Sequence, residues 1–209
     1  MGACDTRRSL ERSVTDTTGQ PGELSFLTAT AAKQLLTDFY SDPTLDCAGA
    51  YVEFPEWRQI LVTRLTAYVR KKPSNANDFR ELFNLALQRE VSSGVVLVWL
   101  SYAQLFFPAS TTAQSEFLAS LLLWAKGGPT GTAPAKVWAS ALMSIGSAVP
   151  YISHPETLAN LLRAVEAART AARRRAGETG DQGWAAVDAE AARVIGVLLG
   201  RAAGQDPIG

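Results

Sequence analysis

The sequence predicts an all-α fold, a single-domain bundle of about seven to eight helices with flexible N- and C-terminal arms. Three observations carry that expectation. Apolar residues recur at steps of three and four through most of the chain. Prolines fall between those stretches, at Pro43, Pro73 and Pro108 for example. No two alternating runs are joined by a hairpin signal. The 209 residues are 47% apolar and 19% charged, a balance that supports a sizeable core and excludes global disorder.

Residues 1–25 are polar, dense in Thr, Arg and Asp, and broken by Gly19, Pro21 and Gly22. They are expected to form a flexible arm, followed by a bundle domain at 26–203 and a flexible tail at 204–209. A first helix begins near Thr28, with Ala31, Leu35, Leu36 and Phe39 on one face, and Pro43 ends it. Pro55 suits the first turn of a second helix, whose apolar stripe is Ile60, Leu61, Leu65, Tyr68 and Val69, and Pro73 stops it. Asp78 and Glu81 resemble a capping pair for a third helix that buries Phe79, Leu82, Phe83, Ala86 and Leu87 and ends at Gly94.

The stretch Val95–Phe107 is apolar nearly all round and is expected to be a central helix, although Val95, Val96 and Val98 also suit buried strands. Thr111 with Gln114 has capping-box spacing for a fifth helix, running to about Lys126. Gly127, Gly128, Pro129, Thr130 and Gly131 form a loop. A sixth helix from about Pro134 to Ala148 should turn Val137, Trp138, Ala141, Leu142 and Ile145 inward. Ser153 with Glu156 marks a second capping box. It opens a long helix that ends in a basic cluster, with a break at Gly177–Gly183 and a last helix from Trp184 to Leu199.

Chemistry-bearing residues are sparse. His154 is the one histidine, at a helix start beside Pro155, and Cys4 and Cys47 have no close partner with ligand spacing. General-base catalysis and zinc binding both need more than this. Carboxylate pairs such as Glu53 with Glu56, or Asp42 with Asp46, flank turns and helix starts, where negative charge complements the helix dipole. The glycine loop lacks the lysine and preceding strand of a phosphate cradle. The expectation is a non-enzyme with no cofactor, no metal and no small-molecule substrate. No apolar run is long enough to span a bilayer and no signal peptide is evident, so the expected location is cytoplasmic, or the virion if the protein is viral.

Two signals remain. Met1–Thr6 fits an N-myristoylation pattern at Gly2, with Cys4 able to take a second acyl chain and Arg7 and Arg8 able to lean on anionic lipid. Membrane contact is expected only if Gly2 is acylated. The other signal is basic. Arg64, Arg70, Lys71 and Lys72 on the second helix, and Arg173, Arg174 and Arg175 on the seventh, are candidate contacts for the phosphates of single-stranded RNA. Cations at helix C-termini are also favourable for the dipole alone. Twenty basic residues balance twenty acidic ones. A neutral chain does not bind nucleic acid through bulk charge, but a local groove remains open to it, and neutrality permits self-association.

The leading expectation is therefore a subunit that forms a homo-oligomer or polymer, of the coat or nucleocapsid type found in rod-shaped or filamentous RNA viruses. The Arg-then-Phe-Glu arrangement that rod-virus coat proteins tend to carry is absent from Gly183–Gly200, so the likeness is one of style and assigns no family. The alternatives are a lipid-anchored helical adaptor or matrix-type protein, and a helical module that docks partner helices.

Overall fold

Residues 28–42, 55–108 and 111–204 are described by a computed structural model. Among them eight α-helices follow one another, joined by turns and three short 3-10 segments, with no strand. The all-α expectation holds. Gly2, Cys4 and Cys47 lie outside the described residues, as do the 1–25 arm and nearly all of the 204–209 tail. The chain divides into two compact units, Met1–Phe106 and Phe107–Gly209.

In the first unit, α1 spans Ala29–Ser41. Thr28 is extended at its N-cap and its hydroxyl accepts from the Ala31 N–H at 3.2 Å, which satisfies one of the orphan donors of the first turn. Its buried face is Ala32, Leu36, Phe39 and Tyr40, so the stripe is rotated from the expected one and leaves Ala31 and Leu35 half-buried. Helix α2, Pro55–Lys71, buries Leu61, Val62, Leu65 and Val69. Tyr68, expected in that stripe, is 38% exposed.

The capping pair expected at Asp78 does not form. A 3-10 turn, Pro73–Ala76, runs into α3 at Asn77–Arg89, and Ala76 is already right-handed at φ −57°. An N-cap side chain works from an extended residue, so Asp78 lies inside the first turn instead, as a favourable charge at the positive end of the dipole. The helix stops at Arg89, before Gly94. That glycine belongs to α4, Ser93–Ser101, where a Cβ would sit 2.4 Å from the Gln59 amide nitrogen of α2. The expected long central helix breaks at Tyr102 and tightens into a 3-10 turn at Ala103–Phe106. Helix α2 is the hub, packed by α1 on one side and α4 on another, with α3 against both of those. Phe83, Trp99 and Phe106 form an aromatic cluster with centroids 5.0–5.9 Å apart.

The second unit holds α5 (Thr111–Trp124), α6 (Ala135–Ala148), α7 (Pro155–Thr179) and α8 (Gly183–Ala202). Helix α8 packs along both α6 and α7, and α5 covers α6. Small residues allow this. Gly146 of α6 faces Val194 of α8, where an added Cβ would meet the valine methyl at 3.1 Å. Every inward residue expected on α6 is buried.

The capping box expected at Ser153 is absent, and the one expected at Thr111 falls on a side chain outside the described residues, where only Gln114 is described. The buried Gln114 amide donates to the Pro108 carbonyl at 3.1 Å and the Tyr151 carbonyl at 3.5 Å, tying two loops together. Helix α7 starts one residue beyond the expected place, with His154 at the N-cap and Pro155 first in the helix, because proline's fixed φ suits that position. It runs through Gly177 to Thr179 and ends where Gly180 turns left-handed at φ +66°, its N–H bonded to the Ala176 carbonyl. The break at Gly177–Gly183 therefore narrows to the three residues after Thr179.

Candidate functional site

Helix α2 is held from inside by a buried charge. Arg58 and Glu90 are both 0% exposed. The two oxygens of the Glu90 carboxylate accept five bonds. One takes the Tyr40 hydroxyl at 2.7 Å and Arg58 Nε at 2.9 Å. The other takes Arg58 Nη2 at 3.2 Å and the N–H groups of Val91 and Ser92 at 3.0 and 2.8 Å. A buried carboxylate is tolerated only when its lone pairs are filled in this way. The Arg58 guanidinium also lies over the rings of Phe39 and Trp57, 4.7 and 5.7 Å from their centroids. Burial, first, and then the neighbouring Glu90 charge raise the Tyr40 phenol well above its ordinary value. The result joins α1, α2 and the α3–α4 corner at one point and fixes how α2 is rotated.

That rotation decides what α2 presents outward. Its buried positions are Trp57, Arg58, Leu61, Val62, Leu65, Thr66 and Val69. The opposite side carries two adjacent rows at four-residue steps, Gln59–Thr63–Ala67–Lys71 and Ile60–Arg64–Tyr68. Together with Ala29 at the start of α1, these residues line an open groove of about 600 Å³. Arg64 and Lys71 share it, seven residues apart on the same face. Among the described residues no acidic side chain lines it. The Tyr68 ring is set in place at its edge. Its hydroxyl accepts from the Asn75 amide at 2.9 Å, and the ring stands nearly perpendicular to Phe79 with centroids 6.0 Å apart. Lys33 of α1 lies over the Phe79 ring, adding a cation beside this aromatic pair.

The other basic residues expected on α2 sit apart from the groove lining. Arg70 turns toward the Tyr102 ring, 6.0 Å from its centroid, and Lys72 follows the helix as an exposed residue. Neither these two nor Lys71 belongs to an ion pair among the described residues. Arg80 and Arg89 point to backbone instead, donating to the carbonyls of Phe106 and Asp42.

The arginines of α7 are engaged within the second unit. Arg173 and Arg169 converge on one Asp188 oxygen of α8 at 2.9 and 2.7 Å. The Arg169 hydrogen bond is the foremost reason the Asp188 carboxyl is held below its usual range. Arg174 is 71% exposed and 3.7 Å from Glu178. Arg175 lies over both Trp138 and Trp184, 5.0 and 4.9 Å from their centroids, and donates to the Gly131 carbonyl at 3.0 Å. It joins the two helices to the glycine turn. None of the three is in the last turn of α7, because the helix continues beyond them, so the dipole does not account for their presence.

Sequence reasoning placed Arg64 and Lys71 correctly on one helix. It passed over Gln59, Thr63 and Lys33, and assigned Tyr68 to the core. The available signal was the four-residue spacing of Gln59, Thr63, Ala67 and Lys71 opposite the apolar stripe. His154, at the α7 N-cap, is exposed and makes no capping bond. Among the described residues no group of three or more His, Cys, Asp or Glu could hold a metal ion, and no helix is long and apolar enough to cross a membrane. Comparison with known proteins returned no match to a protein-family model, to a curated protein or to a solved structure.

Proposed function

We propose that this chain is a non-enzymatic structural subunit that assembles with copies of itself and packages single-stranded RNA, in the manner of a coat or nucleocapsid protein of a rod-shaped or filamentous RNA virus. The observation that carries this reading is the division between its two basic clusters. Arg169, Arg173 and Arg175 of α7 hold helices together, whereas Arg70 and Lys71 at the end of α2 and Lys72 just after it form no ion pair among the described residues. Cations that form no ion pair among the described residues are available to phosphate, and in a polymer a few per subunit suffice because many subunits share one strand. The balanced charge removes the long-range repulsion that would oppose such assembly.

The test is negative-stain microscopy of the purified protein over a range of salt and pH, with the ultraviolet absorbance ratio of nucleic acid to protein measured on the same sample. Rods, discs or filaments carrying nucleic acid are expected. Small particles free of nucleic acid under every condition would remove the coat assignment.

A further inference from the structure

We infer that the corner at the end of α2 takes unpaired nucleotides, with Lys71 and Lys72 on the phosphates of a single strand and the Tyr68 ring stacked against one of its bases. This inference rests on the packaging role proposed above and names the residue that tells an RNA strand from any other polyanion. Tyr68 is 38% exposed, and the exposed Lys71 and Lys72 follow it by three and four residues, which places them beside it on the next turn. Lys72 keeps that place although α2 has ended, because its N–H donates to the Tyr68 carbonyl at 3.1 Å. Asn75, in the 3-10 turn that follows, donates its amide to the Tyr68 hydroxyl at 2.9 Å. Phe79 of α3 stands against the Tyr68 ring with centroids 6.0 Å apart, and Lys33 of α1 lies 5.4 Å over that same phenylalanine.

The corner therefore gathers an exposed aromatic ring and cations from two parts of the chain. The dipole of α2 accounts for cations at its end. It does not account for Lys33, in the second turn of α1, or for a tyrosine left exposed beside the lysines. A ring already held by Asn75 and Phe79 loses little freedom when a base covers it, so stacking costs little ordering entropy. Cations that follow a backbone and an aromatic face for a base are the parts that sequence-tolerant single-strand binding uses. A chain of phosphates without bases would engage the lysines and leave the ring idle. A strand with free bases engages both.

The experiment uses the full chain and a fluorescent oligouridylate, read by anisotropy at low salt, with inorganic polyphosphate as competitor and the fold of each variant checked by circular dichroism. Tyr68→Leu should weaken oligouridylate binding roughly tenfold and leave the affinity for polyphosphate unchanged, because a stack is lost and no charge is. Tyr68→Phe keeps the ring and should bind as the parent does. Lys71→Gln/Lys72→Gln should weaken both ligands at least about tenfold. That variant changes only exposed residues, which keeps a reading if a Tyr68 variant misfolds. Lys33→Gln should weaken both ligands by a smaller factor.

If Tyr68→Leu weakens oligouridylate and polyphosphate equally, the ring acts only by shaping the corner, and the stack is overturned. If the parent protein binds the oligonucleotide and every one of these variants matches it, the strand lies elsewhere. The inference then fails while the packaging role stands. If the parent binds no oligonucleotide at all, the packaging role fails and takes the inference with it.

Discussion

The two units of the molecule use arginine in opposite ways. In the first, one arginine, Arg58, is wholly buried and locked to Glu90, while Arg70 and Lys71 at the end of the same helix and Lys72 just after it are exposed without ion pairs among the described residues. In the second, the arginines stay near the surface and each is tied to a neighbouring group: Arg169 and Arg173 to Asp188, Arg175 to two tryptophans and a turn carbonyl. Among the described residues the fully buried charges, Arg58 and Glu90, belong to the first unit alone. A basic cluster in a sequence therefore says little until its partners are known. Within the denser run, Arg173 and Arg175 are tied to neighbouring groups of the fold, whereas Arg70, Lys71 and Lys72 form no ion pair among the described residues.

The largest expected effect comes from the buried carboxylate. Glu90→Ala leaves Arg58, Tyr40 and two backbone N–H groups without their shared acceptor, and should destabilise the first unit by about 3–5 kcal/mol. Hydrogen exchange resolved by segment should show the loss in residues 28–106 and leave α6 to α8 near their parental protection. An even loss across both units, or a change under about 1 kcal/mol, would remove the keystone role assigned to Glu90.

The corresponding point in the second unit is a turn. Gly128 has φ +73°, and a Cβ there would lie 2.5 Å from the Trp124 ring. Gly128→Ala combines a left-handed backbone with a clash and should cost about 2–3 kcal/mol, measured by denaturant unfolding. Next comes Arg175→Ala, which removes the guanidinium from Trp138 and Trp184 and its bond to Gly131. A loss of about 1–2 kcal/mol is expected, with oligonucleotide affinity unchanged once the variant is folded. Lost affinity in a stable Arg175→Ala protein would place that residue among the binding groups.

The smallest effect is at Asp188. Its depressed pKa means that its ion pairs contribute stability at pH values above the unfolded carboxyl value, and that this contribution is lost as pH falls through the folded one. Asp188→Asn should therefore lower stability by about 1 kcal/mol or less near neutrality. The gap between variant and parent should close in acid. A gap that widens on acidification would reverse the sign of this assignment.

Much of the fold was legible because it depends on periodicity. The inward face of α6, from Val137 to Ile145, and that of α3, from Phe79 to Leu87, follow directly from apolar spacing. Helix starts were less legible. Capping-box spacing at Asp78 and Ser153 describes one way to begin a helix, and proline at Pro155 or a preceding 3-10 turn at Pro73–Ala76 supplied another. The hub at Glu90 gave no signal, since a glutamate at the end of a helix normally faces water, and only Tyr40 and Arg58, remote in sequence, make it a core residue. Tyr68 was misplaced for a related reason: the aromatic looks like core until the rotation set by Arg58 turns it outward. The α2 cations were visible as residues, but which of them share a groove depends on that same rotation.

The most direct test of the division between the two clusters is the salt dependence of oligouridylate binding by the full chain. Each phosphate contact on a single strand contributes about 0.7 to the slope of log affinity against log salt. Neutralising Arg70 and Lys71 together should lower that slope by about 1.4, and neutralising Arg173 and Arg174 should leave it where it was. A slope reduced by the α7 pair and untouched by the α2 pair would contradict the account.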